Sequence, residues 1–236
     1  MWWQIIGLVL GSALFWMQYA DVKDRYQPEP RGRLLLAFFL GIGAALLSLC
    51  IFGVLDMLGM PVLGRSTVLQ TATFCFAVIG PVEEGTKILV ALWVFRWPEF
   101  DEPIDGFVYA TAISLGFASV ENFLHLPGLP LLEQLARVAT LPLTHSLFAS
   151  IWGLGIARAR LMMEPGFKRT MWQVGSVFLA MELHGLYDFI VFALDATWLT
   201  SILILFIWVF VIWRAHQLAQ EAQSNPRPLF GRKTSE

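Results

Sequence analysis

The stretch Pro81-Val82-Glu83-Glu84-Gly85-Thr86-Lys87 sets two carboxylates and an ammonium inside the apolar run Val68 to Phe95. That run is long enough to cross a bilayer, since about 20 residues rising about 1.5 Å each span a hydrocarbon core of roughly 30 Å. Glu83 and Glu84 fall near its middle. A charge at that depth costs roughly 2.5–3.5 kcal/mol on insertion scales, so such groups face a protein interior or a watery cavity, paired and functional. Lys87 follows Glu83 by four residues and Glu84 by three, and on a helix either carboxylate is within its reach. Taken alone, the stretch also fits a plainer role, a buried ion pair that holds helices together.

Outward from this run the whole chain has the same character. Hydrophobic residues make up 57% and charged residues 14%, and the mean hydropathy is +0.64. These values predict an all-α, polytopic transmembrane helix bundle. About seven spans are expected, at Trp2–Ala20, Leu34–Leu58, Val68–Phe95, Gly106–Leu124, Leu131–Ala157, Met171–Leu194 and Trp198–Trp213. They form one domain over residues 1–217, with the chemistry in residues 80–192 and a short cytoplasmic tail over 218–236. Gly41, Gly43 and Ala44 predict close helix approach in the second span.

The net charge of −2 suggests no nucleic-acid partner. Its distribution is more informative. Lys23, Arg25, Arg31 and Arg33 lie in the first loop, Arg158, Arg160, Lys168 and Arg169 in the fifth, and Arg214, Arg227, Arg232 and Lys233 in the tail, whereas the alternate loops hold Arg65 and Arg137. The positive-inside rule then predicts a cytoplasmic C-terminus and an outside N-terminus, in a multi-pass protein of the cell (inner) membrane. Cys50 and Cys75 both lie in apolar segments and read as core residues, not as a disulfide framework or thiolate metal site.

Other spans carry ionisable groups too. Span four holds Glu121, Asn122 and His125; span five holds Pro142 and His145; span six holds Glu182, His184 and Asp188. Glu121 and His125, like His184 and Asp188, are four apart and share a helix face. Asp105 sits where the first turn of a helix welcomes a carboxylate. Counted at about 1.5 Å per residue from Arg96, Asp105, Arg158 and Arg169, the groups Glu84, Glu121, His145 and His184 lie roughly 18–24 Å deep, and Asp188 roughly 28 Å. Four consecutive helices thus offer carboxylates and imidazoles in one layer. Hydrolysis uses such a set: a base for water, donors for the oxyanion and an acid for the leaving amine.

Glu83-Glu84-x-x-Lys87, Phe117-x-x-x-Glu121, His145 and His184-x-x-x-Asp188, in this order on successive spans, resemble the PrsW family of bacterial intramembrane proteases, related to the CAAX-processing and bacteriocin-processing membrane proteases. The resemblance implies hydrolysis of a peptide bond in a membrane-anchored protein, in some members an anti-sigma factor. Carried onto this chain, it makes Glu83 and Glu84 the water-activating pair, Glu121 a positioner of the water, His184 with Asp188 the oxyanion or proton donor and His145 a lining residue. Lys87, Phe117 and Asn122 support them. Where the CAAX-processing relatives have a histidine in the second motif, this chain has Glu121, which argues against a prenylated substrate. The first expectation is a glutamate-activated water with no metal cofactor. The alternative is a zinc protease with His145, His184 and Glu121, or one of the paired glutamates, as ligands. A proton- or ion-coupled transporter and a non-catalytic scaffold are the readings from other classes. The proline- and glycine-rich loop His125–Gln134 is expected to form part of the substrate entrance.

Overall fold

The computed structural model describes residues 2–23, 28–60, 67–161, 166–194 and 196–224, and among these the chain is helical throughout, without a strand. In chain order the elements are α1 (Trp2–Lys23), α2 (Arg31–Met57), α3 (Val68–Phe74), a π-helical turn (Cys75–Ile79), α4 (Gly80–Val94), α5 (Asp105–His125), α6 (Leu131–Leu161), α7 (Gly166–Phe189), a second π-helical turn (Ile190–Leu194) and α8 (Thr197–Ser224). Each apolar segment read from the sequence overlaps one of these helices, except the third, which is divided among α3, the first π-helical turn and α4.

Four of them, Arg31–Met57, Asp105–His125, Gly166–Leu194 and Trp198–Leu218, are long and apolar enough individually to cross a membrane. The expectation of about seven is therefore met only in part, for three local reasons. The third segment is broken into pieces of 7, 5 and 15 residues, α6 carries Arg137, Thr144, His145, Ser146 and Ser150, which dilute its hydropathy, and α1 is diluted likewise by Trp2, Trp3, Gln4, Gln18 and Tyr19 near its ends. The tail expected from residue 218 begins as the last turns of α8, which runs to Ser224, and its remainder lies outside the described residues, as do Arg25 and Arg65.

Helix α5 is the centre of the bundle, packed on α1, α2, α4 and α6, and every residue from Asp105 to Ser119 is buried. Glycine makes the closest of these contacts possible. A Cβ on Gly116 would lie 1.9 Å from the Phe38 carbonyl oxygen, and one on Gly41 would lie 1.8 Å from that of Ile113, so α2 and α5 touch backbone to backbone. Ala44 shares this face, but Gly43 points outward with nothing near it.

Two prolines shape the walls of the site. Pro81 lacks an N–H and its ring crowds the carbonyl four residues back, which is satisfied here by widening the preceding turn into the π-helical Cys75–Ile79. Pro142 stands inside α6 and frees the carbonyl of Val138; the Ser12 hydroxyl of α1 donates to it. At the N-terminus of α3, Thr67 and Gln70 form a reciprocal capping box. Asp105 does not cap α5. Its Oδ2 accepts instead from the backbone N–H groups of Asp101 and Glu102, at 2.8 and 2.6 Å, and so fixes the preceding loop.

Candidate active site

Successive residues on a helix point about 100° apart, so Glu83 and Glu84 cannot share a direction. Glu83 faces a cavity of about 330 Å³ whose walls also include Glu121, His145, His184 and Asp188. Glu84 faces the packed interior and is fully buried. Its Oε1 accepts from Lys87 Nζ and from His184 Nδ1, both at 2.8 Å, and its Oε2 accepts from the indole N–H of Trp152, also at 2.8 Å. With three donors converging on it, this carboxylate holds its neighbours in place.

Glu121 does the same for the other imidazole. Its Oε2 accepts from His145 Nε2 at 2.8 Å while Arg137 donates to its Oε1 at 2.8 Å. That leaves His145 Nδ1 as the acceptor, and Lys87 donates to it at 2.9 Å. The Lys87 ammonium also lies 4.2 Å from the ring centre of Phe117, a cation–π contact. Phe148 stacks on His184 at 4.9 Å, and the two imidazoles meet edge to face at 5.2 Å.

The free nitrogen of His184 and the Lys87-bonded nitrogen of His145 both lie near Glu83. His184 Nε2 is 3.7 Å from Glu83 Oε2 and 3.6 Å from Asp188 Oδ2, and His145 Nδ1 is 4.0 Å from the same Glu83 oxygen. Among the described residues, Glu83 Oε2 is buried without a hydrogen-bond partner. The charge balance is one-sided, because Lys87 pairs with Glu84 and Arg137 with Glu121, while Glu83 and Asp188 are left facing His184. Such a pair of carboxylates is neutralised by taking up protons or by a cation between them, an imidazolium or a metal. One donor atom each from Glu83, His145 and His184 lie within 4.8 Å of one another. An unpartnered carboxylate oxygen, two imidazole nitrogens and carboxylate-held ring orientations together fit a zinc-type ion.

The structure therefore brings together all six residues expected in the layer and sorts them. Glu83, Glu121, His145, His184 and Asp188 line the cavity, and Glu84 stands behind it. Of the carboxylates expected as alternatives beside His145 and His184, Glu83 has a donor atom close to both rings, whereas Glu121 is engaged by Arg137 and His145. His184 is oriented by Glu84, with Asp188 beyond hydrogen-bond range on its other nitrogen. Lys87 and Phe117 are in the network, whereas the Asn122 amide is buried without a hydrogen-bond partner among the described residues and does not line the cavity. His125 lines the cavity but bonds the backbone carbonyl of Glu121, not its carboxylate.

The sequence reading missed Trp152, Thr144 and Tyr187, and gave Arg137 no place in the site. Trp152 was findable, since it follows His145 by seven residues and shares its helix face.

A family profile described as "PrsW family intramembrane metalloprotease" matches residues 29–214. The chain belongs to the PrsW protease family. Among PrsW relatives, the Protease PrsW of Geobacillus kaustophilus (strain HTA426) is 31% identical over 225 residues, covering 94% of this chain and 92% of that protein. The Protease PrsW of Bacillus subtilis (strain 168) is 34% identical over 214 residues, covering 89% and 92%. That of Clostridioides difficile (strain 630) is 29% identical over 234 residues, covering 96% and 93%. No solved structure matches the chain. PrsW membership decides for a membrane protease over the transporter and the scaffold.

Proposed function

We propose that this PrsW protein is a metal-dependent endopeptidase that cuts a membrane-anchored protein, with Glu83, His145 and His184 as the metal-holding residues. The convergence of those three donors on one cavity wall, with Glu83 Oε2 unpartnered, supports the reading most directly. A divalent cation held there would polarise the scissile carbonyl and a water for attack. Glu84 and Glu121 each take the outer N–H of one imidazole, so the lone pairs face the cavity. Asp188, on the cavity wall beside His184, is placed to receive the proton that the attacking water gives up. The substrate class the resemblance implies, an anti-sigma factor, has the membrane anchor this reading needs. The positive-inside distribution orients the C-terminus to the cytoplasm and α5–α6 connection to the outer side.

One observation favours the metal-free alternative, in which Glu83 itself activates the water: Lys87 Nζ lies 2.9 Å from His145 Nδ1, the atom a metal would use. Purified protein in liposomes, with a single-span reporter, separates the two. The metal reading expects cleavage to stop on chelation, to return with zinc, and to fall at least about 100-fold in Glu83→Gln and His184→Ala with folding intact. Cleavage that survives chelation, with no bound metal found by elemental analysis, would establish the glutamate mechanism instead.

A further inference from the structure

The cavity has five helical walls, and their packing shows where it is open. Helix α2 packs on α5, α5 on α6, α6 on α7, and α7 on α3 and on the π-helical turn Cys75–Ile79, while α4 closes the floor against α2 and α7. Among the described residues, α2 and α3 are the neighbouring walls that form no packed interface. Their facing positions, Leu49 and Phe52 on α2 and Phe74 on α3, line the cavity and carry no charge.

The α5–α6 loop, expected to form part of the entrance, meets the cavity only at its first residue, His125, and is tied down beyond it. Gln134 Nε2 donates to the carbonyls of Leu126 and Leu129, at 3.3 and 3.0 Å, and Gln4 of α1 donates to Gln134 at 3.3 Å. Leu126 is fully buried in a cluster with Ile5, Val9 and Val138. That loop is stapled to α1 by both polar and apolar contacts.

We propose that the substrate is an extended, apolar stretch of a membrane-anchored polypeptide that enters sideways from the lipid between α2 and α3, passing Leu49 and Phe52 on one lip and Phe74 on the other. The proposal rests on the protease reading of the same cavity. The occupant follows from what the fork offers: apolar lips on two lipid-length segments, opening into the same cavity that Glu83 of α4, His145 of α6 and His184 of α7 line. The stretch is extended because a helical carbonyl is already bonded to the N–H four residues on, and a helix about 10–12 Å across shields its peptide bonds. Ala45, one turn from Leu49 and buried on the cavity wall, sets the room available for a substrate side chain.

The test uses the full chain carrying Glu83→Gln, in liposomes, with a single-span reporter that the wild type cleaves. A photo-crosslinking phenylalanine analogue is placed at position 52, 74, 89 or 178 in turn, or at 129 in the stapled loop. Leu89 and Phe178 are outward-facing controls, 58% and 62% exposed. The expected result is capture of the reporter from positions 52 and 74 at least about five-fold above 89, 178 and 129. Ala45→Trp in the otherwise wild-type chain is expected to slow cleavage at least ten-fold with unchanged metal content. Capture at 52 and 74 no higher than at the controls, or strongest from 129, overturns the proposal. Because capture is read without turnover, failure of the catalytic reading shows separately, as a Glu83→Gln protein that still cleaves the reporter.

Discussion

Trp152 makes one polar contact that matters, its indole N–H to Glu84, and Glu84 in turn orients His184. Removing such an outer partner lowers metal affinity or activity by about 10–100-fold in comparable sites. On the metal reading, Trp152→Phe, which keeps most of the buried volume, is therefore expected to weaken metal binding about ten-fold, measured by competition with a chromogenic chelator, and to cost about 1–3 kcal/mol of stability because the buried Glu84 Oε2 loses its donor. Arg137→Gln should act likewise through Glu121 and His145, and equal metal affinity in both variants and wild type would refute these positioning roles. The identities of the cavity residues were legible in the sequence because ionisable groups are costly in apolar spans and so stand out. Their division of labour was not. Whether Glu83 or Glu84 faces the cavity depends on the phase of α4, which the π-helical turn resets just upstream, and no residue pattern before Pro81 announces that turn. The hydrogen-bond partner of His184 was missed for a related reason: the i, i+4 spacing to Asp188, which lies 3.6 Å from its Nε2, is visible in the chain, whereas Glu84 lies 100 residues away.

At the scale of the helix, the two prolines illustrate how a lost backbone bond is made good. Pro142 leaves the Val138 carbonyl without its helical donor, and Ser12 of α1 supplies one. Ser12→Ala should therefore destabilise the wild type by about 1–3 kcal/mol, because a buried acceptor is left unmade. In a Pro142→Ala background, where the helix can bond Val138 itself, the same change should cost less. A thermal-unfolding double-mutant cycle reads the difference, and additivity would show that the two residues act independently. Helix existence and order were legible from hydrophobic runs alone, but lengths were not: the last helix, expected over Trp198–Trp213, runs Thr197–Ser224. The interruption of the third segment, the polar face of α6 and the aromatic and polar ends of α1 were not weighed against span length, which is why four individual spans stand out where about seven were expected.

For the whole molecule, the inward-facing carboxyl chemistry continues at the end opposite the cavity. Glu29, in the connection between α1 and α2, is buried and accepts a hydrogen bond from Tyr109. Burial pushes its carboxyl up from 4.5 to about 7, against the opposing pull of the Tyr109 and Asp105 contacts. The sign follows directly: a raised folded-state value means stabilisation fully present below the unfolded value and lost as pH rises through about 7. The thermal midpoint of the wild type in detergent is thus expected to fall between about pH 4.5 and 7, and Glu29→Gln should flatten that slope; an unchanged slope would refute the assignment. Orientation is testable at the same scale. Single cysteines placed at position 129 and at position 220, in a protein freed of Cys50 and Cys75, should react with a membrane-impermeant maleimide from outside and from inside respectively. Finally, α5 is the most enclosed of the four candidate spans: 72% of its most apolar window is buried by protein, and its mean hydropathy there, 1.3, is below the 2.6 of α2. During synthesis α5 emerges before α6, the helix that covers one of its sides. Until α6 is made, that side of a weakly hydrophobic segment lacks its protein cover, so α5 depends for part of its burial on a helix that follows it in the chain.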